Sequence, residues 1–353
     1  HPRLVRVLVE QGQRMIHCSN LFYHPFQGQL ARRLAELSGM ARVFFTNSGT
    51  EAIEAALKIA RAYARSQGHA DKSLILAMKN AFHGRTFGAL SITAQEKYQA
   101  PFRPLVPDVQ IIEEFSAAAL ERSFSQRVCA LVCEPIQGEA GVIPLPKEFL
   151  EAARALCDRY DALLILDEIQ CGMGRTGKYF AFEHTRIRPD LVTLAKSLAA
   201  GYPLGAVLGN TRVAASLRPG EHGTTFGGGP LACRLALEVL DVIDTEGLLA
   251  RVEALGGHLL EGLGALARRH ATIGEIRGLG LMIGVELGVA ARDTVERLLR
   301  RGFICNVAHD TTLRLLPPFV ITRAEIDDFL RALDTVLGEI EAAELVPEAK
   351  QGA

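Results

Sequence analysis

The chain has 353 residues, with 39 Lys and Arg against 40 Asp and Glu, a formal charge of −1 and 6% aromatic residues. That balance gives neither a polyanion-binding face nor a stacking platform, which sets nucleic acid aside as a partner. No apolar stretch approaches the roughly 20 residues of a membrane span, and the start lacks a signal peptide's apolar segment, so no membrane association is expected.

Seven cysteines, an odd number with no C-x-x-C spacing, suggest a reducing compartment, and the cytoplasm is the default. Ten histidines scattered without H-E-x-x-H argue against a metal site. No G-x-S-x-G surrounds any serine, so a hydrolase elbow is absent.

In chain order, residues 1–27 form an N-terminal segment, expected to pack with a smaller domain or across a subunit interface. The first chemical signal is Val43 to Thr46, a short strand that breaks at Asn47-Ser48-Gly49 into a helix. Ser48 and Glu51 stand as a capping box, and Ile53, Ala56, Leu57, Ala60 and Ala64 give the apolar stripe. Gly49 lets the backbone approach a ligand, so first-turn amides, with the Ser48 and Thr50 hydroxyls, can hold a phosphate.

Next, Ala81-Phe-His-Gly-Arg-Thr86 sets an aromatic ring three residues before an arginine in a Gly-containing turn. Phe82 suits stacking on a flat ring, and Arg85 suits a bidentate grip on a carboxylate. The apolar run Val128 to Cys133 then delivers Glu134-Pro-Ile-Gln-Gly-Glu139 to a strand's carboxyl end.

Two further runs, Ala162 to Leu166 and Leu191 to Ala195, read as buried parallel strands, each ending on one charge, Asp167 and Lys196. Open α/β sheets build their ligand crevice at the carboxyl ends of such strands. A cofactor needing an anion on one edge and an amine on the other fits between them. Pyridoxal phosphate is that cofactor: its aldehyde takes a lysine, and its ring nitrogen works as part of an electron sink only when a carboxylate keeps it protonated.

Gly172-Met-Gly-Arg-Thr-Gly177 mimics a dinucleotide fingerprint and, with Lys178, a nucleotide phosphate loop. Asp167 to Cys171 intervene between strand and first glycine, and Tyr179 stands where a magnesium-binding Ser or Thr belongs, so both readings fail.

Strand and helix signals alternate from about Gly28 to Leu240 in the manner of a doubly wound, mainly parallel sheet. This predicts a large domain over 28–240 and a smaller C-terminal α/β domain over 241–353. A helix from Leu231 to Leu263, broken around Asp244 to Gly247, links them. The smaller domain is predicted to hold a strand at Leu279 to Leu287, a helix at Ala290 to Arg301, strands near Phe303 to Val307 and Thr312 to Leu316, and a last helix from Arg323 to Glu344. A polar tail follows Pro347.

Taken together, Ser19-Asn-Leu-Phe-Tyr23, Phe45 to Ala52, Phe82 to Thr86, Glu134 to Glu139, Leu166 to Gly177, Lys196, His222-Gly-Thr-Thr-Phe-Gly-Gly228 and Leu313-Arg-Leu-Leu-Pro-Pro318 resemble the class III pyridoxal phosphate-dependent aminotransferases of fold type I. The motifs run in family order over nearly the whole chain and look most like those of members acting on N-acetylornithine.

The resemblance implies a role for each matching position. Lys196 holds the cofactor aldehyde and then serves as general base and acid. Asp167 keeps the ring nitrogen protonated, Gln170 reaches the phenolic oxygen, Phe82 covers the ring, and Ser48, Gly49 and Thr50 bind phosphate. Thr225 completes the phosphate site of the second subunit of a homodimer, and Thr224 lies near substrate.

Arg314 takes the α-carboxylate of glutamate and is masked by Glu139 when the other substrate lacks that group, while Arg85 takes the distal carboxylate. The implied activity is transfer of an amino group from N-acetylornithine to 2-oxoglutarate in arginine biosynthesis. Succinylornithine, ornithine and 4-aminobutyrate are alternative donors, and an aminomutase or racemase on the same scaffold is a further alternative.

Two departures stand out. The chain begins at His1 where the family has roughly forty earlier residues that help shape the substrate pocket, and Gly229 replaces the family's usual Asn before Pro230. A looser turn is expected at Gly229.

Overall fold

The computed structural model describes residues 1–344, and the tail after Pro347 lies outside them. Contacts divide the chain into a larger unit, residues 1–137, 145–174 and 178–247, and a smaller unit, residues 138–144, 175–177 and 248 onward.

The larger unit is built on seven strands: β1 (Arg42–Thr46), β2 (Leu74–Met78), β3 (Val109–Ile112), β4 (Val128–Cys133), β5 (Leu163–Asp167), β6 (Leu191–Leu194) and β7 (Gly205–Gly209). Their order is β1-β7-β6-β5-β4-β2-β3. From β3 to β6 every neighbouring pair is parallel, and only β7 runs against its neighbours β6 and β1. Every residue of β4, β5 and β6 is buried, which is why these strands read as continuous apolar runs. The runs ending near Asp167 and Lys196 are indeed neighbours, with Asp167 paired to Thr193.

The helices of this unit include α1 (Pro2–Arg14), α2 (Pro25–Ser38), α3 (Gly49–Ser66), α4 (Phe87–Ser91), α5 (Lys147–Arg159) and α6 (Pro230–Thr245). Ile53, Ala56, Leu57 and Ala60 of α3 share one core with Ile75, Ala77, Val132, Leu163 and Ile165. Leu164 and Leu166 alternate to the opposite face, and α5 packs on β4 and β5. Since residues 163, 165 and 167 share a face, Asp167 emerges on the side of the sheet that α3 covers.

Of the two placements expected for the N-terminal segment, the smaller domain or a subunit interface, the first is not found. Instead, α1 lies on α6, where Arg3 donates to the buried Glu238 at 2.7 Å. His24 caps α2 by accepting from the Gln27 amide at 3.4 Å, which leaves its Nε2–H to donate to the Gly228 carbonyl at 2.8 Å. At the start of α6, Gly229 occupies the cap position without a capping side chain, at a φ of −63° that any residue adopts.

The smaller unit holds α7 (Leu248–Ala267), β8 (Ile273–Leu279), β9 (Met282–Leu287), α8 (Ala291–Arg300), β10 (Asn306–Ala308), β11 (Thr312–Leu315) and α9 (Arg323–Glu344). The strands form an antiparallel sheet in the order β8-β9-β11-β10. The single strand expected over Leu279 to Leu287 is the second arm of a hairpin. Gly278 and Gly280 turn it at φ +134° and +54°, and a Cβ on Gly278 would collide with the Met282 carbonyl. Two glycines and two charges in Ile273–Leu279 hid the first arm. Among the described residues, no helix is long and apolar enough to cross a membrane, and all seven cysteines are free.

Candidate active site

On one edge of the large sheet, the loops open into a cavity of about 530 Å³, within the size range of ligand pockets. It is lined after β1 by Asn47 to Thr50, after β2 by Phe82 to Arg85, after β4 by Glu134, at the end of β5 by Asp167, Ile169 and Gln170, and after β6 by Ala195 and Lys196, with Gly201 to Leu204 leading into β7. Thus Ser48, Gly49, Thr50, Phe82, Arg85, Asp167, Gln170 and Lys196, dispersed over nearly 150 residues of sequence, meet around one space.

The floor is a buried polar cluster. One Asp167 oxygen accepts from the Ile169 amide at 3.0 Å and the Thr193 hydroxyl at 3.1 Å; the other meets His83 Nδ1 at 2.7 Å. Burial pulls the His83 pKa down, but the hydrogen bond and charge of Asp167, with the charge of Glu134, outweigh it and leave the imidazole above its ordinary value. Nε2 of His83 is buried and, among the described residues, has no hydrogen-bond partner. Glu134 accepts from the Phe82 amide at 3.1 Å; burial pushes its carboxyl up to about 7, against the pull of His83 and with the charge of Asp167 adding.

One wall is the amino end of α3. Ser48 has extended backbone, and its hydroxyl accepts from the Glu51 amide at 3.3 Å. The other half of the expected capping box differs: the Glu51 carboxylate reaches one residue further, accepting from the Asn47 backbone and side-chain amides at 2.7 and 2.9 Å. Among the described residues, the Ser48, Gly49 and Thr50 amides therefore carry no hydrogen-bond partner, the arrangement that favours an anion at a helix start. A Cβ on Gly49 would stand 2.9 Å from the Ile169 side chain, which would have to shift to admit it.

The opposite wall carries the aromatic and cationic groups. Tyr98 meets the Phe82 ring edge-on at 6.0 Å, and the Arg85 guanidinium stacks 4.0 Å from the Tyr98 ring centre. That leaves the planar edge of Arg85 for a carboxylate. Lys196 is exposed to the cavity, and no hydrogen bond or ion pair occupies its amine among the described residues.

Thr224 and Thr225 do not line this cavity. Thr224 is tied by its hydroxyl to Asn47 at 3.2 Å and by its carbonyl to Asn20 at 2.8 Å, while Thr225 is exposed. Within the smaller unit, Arg314 is buried on β11 and pairs with Glu139 at 2.6 Å.

Three contributors escaped the sequence reading: His83, Glu134 as a titrating group, and Tyr98. The signal for His83 was present, an imidazole between Phe82 and Gly84 at a strand end, but nothing local tied it to Asp167. Glu168, beside Asp167, turns away to accept from the Ala181 and Phe182 amides, and burial pushes its carboxyl up to about 8.

These groups fit pyridoxal phosphate: one amine, the buried Asp167 carboxylate, unpartnered helix amides and an aromatic face converge on one cavity. No cluster of His, Cys, Asp and Glu among the described residues suits a metal ion.

The family Aminotransferase class-III matches residues 1–337. This chain belongs to that family, whose members are pyridoxal phosphate-dependent aminotransferases. Over 341 residues it is 44% identical to the acetylornithine aminotransferase of Methanocaldococcus jannaschii, covering 97% of this chain and 86% of that protein. It is 42% identical to ornithine aminotransferase 1 of Staphylococcus aureus over 339 residues, 95% of this chain and 86% of that one. Among solved structures, ornithine aminotransferase from Toxoplasma gondii superposes with a TM-score of 0.93 at 36% identity, covering 97% of this chain and 83% of that one. Acetylornithine aminotransferase from Elizabethkingia anophelis gives 0.84 at 32%, covering 96% and 85%.

Proposed function

We propose that this aminotransferase moves the terminal amino group of N-acetylornithine to 2-oxoglutarate, yielding N-acetylglutamate 5-semialdehyde and glutamate, as a step of arginine biosynthesis. Four relatives named acetylornithine aminotransferase, 40 to 44% identical over at least 94% of the chain, support the donor. The observation that carries the chemistry is the meeting of Lys196 and Asp167, from the ends of adjacent parallel strands, in the cavity that the bare amino end of α3 enters.

When bound, the cofactor supplies an aldehyde for amines and a ring that withdraws electrons from the carbon bearing the reacting nitrogen. Lys196 holds the aldehyde, then takes the proton from the substrate carbon and returns one during the exchange. Asp167 holds a proton at the ring nitrogen, itself fixed by Thr193, the Ile169 amide and His83. The Ser48, Gly49 and Thr50 groups hold phosphate, Phe82 covers the ring, and Gln170 meets the phenolic oxygen.

Two substrates of different charge must use one site. Arg85 grips the carboxylate common to both, distal to the reacting carbon. Arg314, paired with Glu139, hides its charge from N-acetylornithine, which lacks a carboxylate beside that carbon. Glutamate brings one, displaces Glu139 and takes the guanidinium.

Thr224 and Thr225 lie outside this chain's own cavity, and Phe22, Tyr23 and Phe226 are exposed apolar side chains of the same unit. Both features support a homodimer in which the loop from His222 to Gly228 completes the second subunit's phosphate and substrate sites. Free cysteines support a reducing, cytoplasmic location.

The test is an absorbance spectrum of the cofactor-loaded protein. N-acetylornithine should bleach the visible band and 2-oxoglutarate should restore it. Bleaching by ornithine or 4-aminobutyrate alone would move the donor within the family; bleaching without net amino transfer would favour an isomerase.

A further inference from the structure

Glu54 lies one turn below the amino end of α3, yet its carboxylate leaves its own helix. A single oxygen, Oε1, accepts from the Thr86 hydroxyl at 2.5 Å and from the Gly88 and Ala89 amides at 2.8 and 3.1 Å. Thr86 holds the cap position of α4 but makes no side-chain capping bond of its own; Glu54 caps α4 in its place.

This fixes the direction of the next bonds. A carboxylate only accepts, so the Thr86 hydroxyl must donate to Glu54. In the Thr50–Thr86 contact at 2.8 Å, Thr86 is therefore the acceptor and Thr50 the donor. Thr50 Oγ1 in turn accepts from the Thr86 amide at 3.3 Å. The Thr50 hydroxyl, its one proton given to Thr86 and its oxygen accepting from the Thr86 amide, is thus fixed against the loop, which leaves the amides of the first turn of α3 to meet an anion.

Two glycines let this assembly close. A Cβ on Gly84 would collide with the Thr50 side chain, and one on Gly88 would collide with the Glu54 carboxylate. The loop carrying Arg85 is thereby pressed onto the first turn of α3.

We propose that Glu54 is a positioning residue for phosphate recognition: through Thr86 it fixes the Thr50 side chain and clamps the loop of Gly84 to Gly88 against the phosphate-binding turn, holding the first-turn amides in place. The proposal rests on the assignment of that turn to the cofactor phosphate. It also runs against simple electrostatics, because a negative side chain near an anion site should weaken binding, and its neutralisation should strengthen it.

The test compares the apoprotein's dissociation constants for pyridoxal 5′-phosphate and for pyridoxal, read from absorbance and fluorescence. Both probes carry the same aldehyde, so their ratio isolates the phosphate. Glu54→Gln and Thr86→Val are each expected to weaken pyridoxal 5′-phosphate about tenfold, roughly 1.4 kcal/mol, with pyridoxal unchanged. Thr86→Ser, which keeps the hydroxyl, should restore the ratio.

Unchanged or tighter phosphate-ester binding in Glu54→Gln overturns the proposal while leaving the turn's assignment intact, and so does an equal loss for both probes. Equal affinities of the wild-type protein for the two probes would overturn the assignment itself and the proposal with it.

Discussion

Of the histidines that face carboxylates, His83 in the larger unit and His270 in the smaller differ in a way that separates chemistry from scaffolding. His270 in the smaller unit gives Nδ1 to Glu341 at 2.8 Å and Nε2 to Asp334 at 2.6 Å. Carboxylates only accept, so both ring nitrogens must carry protons, and the imidazolium staples the residues before β8 to α9 with no polar atom to spare. His83 in the larger unit gives only Nδ1, to Asp167, and its buried Nε2 has no partner among the described residues. Leaving a buried polar atom unpaired has a cost. At His83 that cost falls beside the Asp167 carboxylate that lines the cavity.

The largest expected effect breaks the pair on the cavity side. Asp167→Ala removes the anion at the floor and strands His83, and the transamination rate should fall by about a thousandfold, within the span of lost acid–base assistance. Steady-state kinetics decide it; a loss under tenfold would mean that Asp167 is scaffolding too.

A smaller effect sharpens the contrast. His83→Asn keeps a donor to Asp167 but cannot carry a positive charge. Loss of the positive charge beside Asp167 should lower the rate at neutral pH about tenfold and move the pH profile. A rate loss without movement of the profile would assign His83 to packing alone.

How far this contrast was legible in the sequence follows from distance along the chain. Asp167 and Lys196 could be read because each ends a buried apolar run, and the runs lie in neighbouring strands. The α3 turn could be read because Ser48, Gly49 and Glu51 are close in sequence. The partnership of His83 with Asp167 spans 84 residues, and no local pattern encodes it. The destination of Glu51 was likewise invisible, since the capping-box spacing is the same whether the carboxylate reaches Ser48 or, as here, Asn47. The first arm of the β8–β9 hairpin escaped notice because Gly274 and Gly278 interrupt its apolar pattern, and Gly278 serves the turn at positive φ. The placement of α1 on α6 depends on Arg3 meeting a buried Glu238, a tertiary fact.

The smallest effect tests the scaffold side and concerns stability alone. His270→Ala should leave the rate per folded molecule unchanged and cost about 1–2 kcal/mol, the penalty for unpaired polar groups discounted for partial exposure. Its pH dependence has a definite sign. Burial opposes the His270 charge, but hydrogen bonds and charges from Asp334 and Glu341 raise its pKa above the ordinary value. The His270 contribution is therefore complete below the unfolded value of about 6.5 and fades as pH rises through the higher folded value. The hydrogen bond from His270 lowers Asp334, and Glu341 is also lowered, by His270 and Thr272 against the effect of burial. Their contributions are complete above about 4 and fade in acid. Between those limits all three groups are charged and the staple is strongest. Denaturant unfolding of wild type and His270→Ala across this range should give a stability difference that is largest near pH 5 to 6 and shrinks on the alkaline side. A difference that grows with alkaline pH would mean that the imidazole is neutral in the fold, and the two histidines would then differ only in burial.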